Sequence, residues 1–134
     1  MTQSKTHVYI LTAVAIAGSL LYFYLDPSYN KLFPPCPFYS ITGLFCPGCG
    51  SQRAFHDLLH GNIAASAGHN LLFVAALPVV GYSAIAVVNN VFRKRKMHQP
   101  LFYSQRFTIG VLVVVLLFAI LRNVPFGMFE WMRP

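Results

Sequence analysis

The chain has 134 residues, of which 56% are hydrophobic and only 10% charged, against about 25% charged in a soluble domain. Its acids are Asp26, Asp57 and Glu130, too few to cover the surface of a water-soluble fold, so the chain reads as one lipid-embedded unit. The net charge of +7 does not indicate nucleic acid: four of the ten Lys and Arg residues form one run, Arg93-Lys94-Arg95-Lys96, which follows an apolar stretch and fits a membrane flank.

The first apolar run, Val8 to Leu25, carries no charge and is about long enough to cross a bilayer as a helix. Tyr22, Phe23 and Tyr24 end it as an interfacial aromatic belt would. No Ala-x-Ala site follows, so it reads as a retained helix rather than a signal peptide. Asp26-Pro27 stops it.

Residues 26–50 are dense in proline and glycine yet apolar, with Phe33, Phe38, Tyr39, Ile41, Leu44 and Phe45 among them. Pro34, Pro35, Pro37, Gly43, Pro47, Gly48 and Gly50 argue for a structured loop without regular helix. Cys36, Cys46 and Cys49 all lie in it. Cys46-Pro47-Gly48-Cys49-Gly50 is a knuckle: proline fixes one φ, glycine permits φ > 0, and two thiolates can face one point. That suits zinc, with Cys36 as a third ligand and the fourth of a closed site coming from elsewhere.

A short amphipathic interfacial helix is expected over 51–61, capped by Gly50 or Ser51 and ended by Gly61. Arg53, His56, Asp57 and His60 share one face; Ala54, Phe55, Leu58 and Leu59 take the other. His56 or His60, at i and i+4, could complete a metal site of three sulfurs and one imidazole. Arg53, Asp57 and Arg122 would lie around it or bind an anion. Other readings stay open. A disulfide from Cys36 to Cys46 or Cys49 would leave one thiol over. A Cys-x-x-Cys pair ahead of a helix also suits thiol redox chemistry, although no βαβ pattern surrounds it.

The second span is expected over about 70–90, with a core from Leu71 to Val88. Pro78 and Gly81 inside it are tolerable in a membrane and mark a kink. His69-Asn70 stands at its start, where Asn70 can cap it. Residues 91–100 form a basic loop. The third span is expected over about 103–122, with a core from Phe107 to Leu121, followed by a tail over 123–134. Arg122 closes this span on the side of the Cys loop, where it could pair with Asp57, bind a lipid phosphate or, with Trp131 nearby, anchor the interface. The positive-inside bias puts the basic loop and the N-terminus in the cytoplasm, and the Cys loop and C-terminus on the outer face.

The pattern Cys36-Pro37, Thr42-Gly43, Cys46-Pro47-Gly48-Cys49-Gly50, Arg53-Ala54, Leu58-Leu59, His60-Gly61 and Asn70 resembles a widespread family of small bacterial integral membrane proteins, known as a domain of unknown function, with the signature CP-x(4)-TG-x(2)-CPGCG-x(2)-R. Arg122-Asn123-Val124-Pro125 resembles the family's C-terminal end; Leu71 departs from it, standing where the family often has proline. The resemblance implies the bacterial inner membrane and one shared site of Cys36, Cys46, Cys49, Arg53, His60 and Arg122. It implies no reaction.

The expected fold is therefore all-α: three transmembrane helices, a Cys-rich Pro/Gly loop and a short interfacial helix. Hydrolysis is disfavoured, since no acid/base pair or Ser-His-Asp set is present, and transport by this chain alone is disfavoured by the lack of charge inside the spans. A non-catalytic accessory or assembly subunit, held by lipid and by other membrane subunits and organised by zinc, is the first functional reading. A membrane thiol oxidoreductase using Cys46 and Cys49 is the second. A lipid- or anion-binding subunit using Arg53 and Arg122 is the third.

Overall fold

The structure, a computed structural model, describes residues 2–92 and 104–125. The basic run at 93–96, Phe102, Tyr103 and Trp131 lie outside these residues. Among the described residues the fold is all-helical: α1 (Thr2–Tyr24), α2 (Pro37–Thr42), α3 (Ser51–Leu59), α4 (Ile63–His69), α5 (Leu71–Phe92) and α6 (Gln105–Asn123). Three of these are long and apolar enough to cross a membrane: Thr6–Tyr24, Leu71–Asn90 and Gln105–Asn123. They fit a multi-pass membrane protein.

The spans turn most of their apolar side chains outward. Leu11, Val14, Val80, Ile85, Leu112 and Ile120 are each more than half exposed, which in a bilayer means contact with lipid. Hydroxyls on these helices are satisfied within them: Thr12 bonds the Val8 carbonyl, Ser19 that of Ala15 and Ser83 that of Val79, each at 2.8 Å. This back-bonding lets a polar side chain sit in hydrocarbon without an orphaned donor. Helix α5 runs through Pro78.

α1 and α5 run antiparallel. At one end Tyr9 meets Phe92 edge to face, with ring centroids 5.8 Å apart. At the other, Phe55 of α3 sits between Tyr22 of α1 and Phe73 of α5, at 5.3 and 6.1 Å. The C-terminus of α1, the N-terminus of α5 and the C-terminus of α6 therefore gather at one end of the molecule, and the short helices α2, α3 and α4 fill that end.

Helices α3 and α4 form a hairpin turned by Gly61, whose φ of 79° is left-handed. They meet at two small residues: Ala54 and Ser66 are both fully buried, and Ser66 Oγ donates to the Ala54 carbonyl at 2.7 Å. A larger side chain at either position would push the hairpin apart.

The reading of residues 26–50 as loop without helix is corrected by α2. Proline is tolerated at the first helical position, where its missing N–H has no intrahelical partner anyway. Pro37 occupies that position, Cys36 precedes it in extended conformation, and Gly43 ends the turn at φ 71° with its N–H on the Tyr39 carbonyl. Counting Pro37 and Gly43 as breakers missed that they bracket a single helical segment.

Candidate metal centre

Cys36, Cys46 and Cys49 come together. Their sulfurs all lie within 4.8 Å of one another, with Cys36 Sγ 3.3 Å and Cys49 Sγ 3.2 Å from Cys46 Sγ. These separations exceed a disulfide bond of about 2.05 Å. They fall somewhat inside the edge of about 3.8 Å that a tetrahedron with zinc–sulfur bonds of about 2.3 Å would have. Small movements of three side chains would thus admit an ion between them.

The knuckle is built by backbone bonds. Cys49 N–H donates to the Cys46 carbonyl at 3.1 Å and closes the turn, and Ser51 N–H donates to the Gly48 carbonyl at 3.1 Å. Cys46 N–H points back at Cys49 Sγ, 3.3 Å away. Of its two glycines only Gly50 takes a positive φ, 80°, at the cap of α3. Cys36 enters from ten residues upstream, as the residue before α2.

The sulfurs differ in acidity. The N–H of Tyr39 in the first turn of α2, then the Cys49 side chain, hold the Cys36 thiol down to about 7 from an ordinary 9.0. Burial pushes the Cys49 thiol up to about 12, and its residue is only 5% exposed. The site thus favours a thiolate on Cys36 beside a protonated Cys49.

Asn70 and Asn123 fasten the knuckle to the spans. Asn70 is 1% exposed. Its Oδ1 accepts from the Phe73 N–H at 3.0 Å, capping α5, while its Nδ2 reaches the carbonyls of Pro47 (2.9 Å) and Cys49 (3.2 Å) and Ser51 Oγ (3.0 Å). Asn123 treats Phe45 as a neighbouring strand would: its Oδ1 accepts from the Phe45 N–H and its Nδ2 donates to the Phe45 carbonyl, each at 2.8 Å.

Arg122 is fully buried. It donates to the carbonyls of Cys46 at 3.4 Å and His69 at 3.0 Å, and its guanidinium carbon stands 5.6 and 5.5 Å from the ring centres of Phe45 and Phe118. It joins α6 to the knuckle and to the end of α4.

The other expected residues lie around a different contact. His56 Nδ1 bonds the Tyr22 carbonyl at 2.7 Å, satisfying an acceptor in the last turn of α1. His60 Nδ1 bonds the His56 carbonyl at 2.9 Å, and its ring stacks on Phe23 at 4.5 Å. Both imidazoles are thus turned to α1, and the group of mutually close metal-binding atoms contains the three cysteines without a histidine. Asp57 pairs with His69 Nε2 at 3.3 Å rather than with Arg122, which donates to carbonyl oxygens. Arg53 and His56 lie near enough to Asp26 to help hold its carboxyl below the usual range, behind the larger effect of the Ser28 N–H.

Asn123 and Ser66 were not anticipated as structural ties. The Asn123–Phe45 pair spans 78 positions, and no local periodicity could have announced it; the only trace was the Arg122-Asn123-Val124-Pro125 resemblance.

Residues 36–84 match the family model described as "Protein of unknown function (DUF2752)". The matched stretch begins at Cys36 and carries the whole knuckle, α3, α4 and the first part of α5, while Arg122 and Asn123 lie beyond it. It agrees with the expected resemblance to an uncharacterised family. Comparisons with curated proteins and with solved structures give no match.

Proposed function

We propose that this chain is a non-catalytic accessory or assembly subunit of the bacterial inner membrane, whose loop at the gathered end of the spans is organised by zinc held on Cys36, Cys46 and Cys49. The observation that carries this is the convergence of three sulfurs on one point, two of them from a knuckle whose backbone is already closed. Zinc would neutralise the thiolates and fix the loop. A fourth ligand comes from solvent or a partner subunit, since among the described residues no histidine nitrogen joins the three sulfurs. The largely uncovered spans support a subunit that packs against lipid and other membrane proteins. The Cys loop and C-terminus face outward by the positive-inside rule, which an impermeant thiol reagent tests on intact cells: labelling only after permeabilisation reverses the orientation.

Metal analysis of the purified chain tests the centre. We expect about one zinc per chain, lost in Cys49→Ser. Metal-free protein with a readily reducible disulfide would overturn this reading and favour a second one, a membrane thiol oxidoreductase. The specific feature in favour of that alternative is Cys36, a thiol of pKa about 7 whose sulfur is 3.3 Å from Cys46. A lipid- or anion-binding role is less well supported, because Arg122 is turned inward onto carbonyl oxygens.

A further inference from the structure

Three thiolates on a divalent ion make a complex of net charge −1. Such an anion, formed where one sulfur is almost fully buried, is costly without a cation beside it. Arg122 is the one charged side chain among the described residues that is buried. Its Nη1 donates at 3.4 Å to the carbonyl of Cys46, the residue whose sulfur stands 3.3 Å from Cys36 Sγ and 3.2 Å from Cys49 Sγ. The two aromatic faces and the carbonyls that hold it fix the guanidinium beside the knuckle from the end of the third span.

Resting on the metal reading above, we propose that Arg122 is the counter-charge of a divalent, thiophilic metal ion bound by Cys36, Cys46 and Cys49, raising the site's affinity by its charge. Arg122 touches no metal; it acts on the ligands from behind the Cys46 peptide.

Cadmium, whose thiolate complexes absorb in the ultraviolet by charge transfer, probes this in the purified full chain in detergent. Affinity comes from chelator competition, and band intensity reports how many sulfurs are bound. Arg122→Gln keeps a donor and removes the charge; Arg122→Lys keeps the charge and loses the fork. We expect Arg122→Gln to bind cadmium about 10–100-fold more weakly with full band intensity, and Arg122→Lys to stay within about threefold of the wild type. A wild-type affinity in Arg122→Gln, an equal loss in both variants, or a band reduced by about a third in Arg122→Gln would each overturn the charge role. If Arg122→Gln fails to accumulate, Arg122→Lys decides alone: a tenfold loss or more refutes the proposal. A wild-type chain with no cadmium band at all instead refutes the metal reading on which it rests.

Discussion

Asn70 offers the sharpest test of how the knuckle is held. Its side chain is 1% exposed, and Asn70→Ala deletes its bonds to Pro47, Cys49 and Ser51 and the cap on Phe73. Two amide hydrogens serve three acceptors, so the loss amounts to about three full hydrogen bonds at ~1 kcal/mol each, or about 3 kcal/mol in all. That energy belongs to the local opening that exposes Cys49, itself only 5% exposed. At 1.4 kcal/mol per decade, opening becomes about 100-fold more frequent. The assay is maleimide modification of the metal-free chain in detergent, with each cysteine followed separately by peptide mass spectrometry. Cys49 should react about 100-fold faster in Asn70→Ala, whereas Cys36, already partly exposed, should change by less than about threefold. A Cys49 rate within about threefold of the wild type would refute the idea that Asn70 holds the knuckle closed.

In the metal-free protein, alkylation of Cys36 should reach half its maximal rate near pH 7 and that of Cys49 only near pH 12, following their pKa values of about 7 and about 12; coincident profiles near pH 9 would contradict the hydrogen bonding described. Because the Cys36 pKa is depressed, its contribution to stability is present above pH 9 and lost as pH falls toward 7; the raised Cys49 pKa contributes below pH 9 and is lost toward pH 12, so unfolding should become easier in strong alkali. Gly50→Ala should destabilise the chain by about 1–2 kcal/mol in thermal unfolding, because a Cβ is strained at its left-handed φ. Gly48→Ala should be nearly neutral in the same measurement, its added Cβ lying 3.9 Å from Cys46 Sγ in ordinary contact. Asn123→Ala should raise protease sensitivity around Phe45 by loosening two bonds of 2.8 Å, an effect of about 2 kcal/mol.

The spans were legible because a bilayer imposes a length and an apolarity that composition alone records: the run from Leu71 to Val88 is the body of α5, and Phe107 to Leu121 that of α6. The knuckle was legible because proline, glycine and two cysteines at this spacing restrict the backbone locally. Helix α2 was hidden because Pro37 and Gly43 break helices in most positions and bound them in these two. The surroundings of the histidines were hidden for a different reason. Helical spacing puts His56 and His60 on one face, but it does not say what that face meets. The last turn of α1, with a free carbonyl at Tyr22 and a ring at Phe23, took both. Asn70 shows the intermediate case, since its capping role was readable from its place before α5, and its grip on the knuckle was not.

The Asn123–Phe45 pairing sets an order of events during synthesis. The Cys loop leaves the ribosome more than seventy residues before the amide that clamps it. Until the third span is in place, the Asn123 bonds to Phe45 and the Arg122 bond to the Cys46 carbonyl cannot form. Closure of this end of the fold is therefore a late step, completed only by contacts from the third span. A chain arrested after its second span would keep the Asn70 bonds to the knuckle but lack the Asn123 clamp on Phe45 and the Arg122 bond to Cys46.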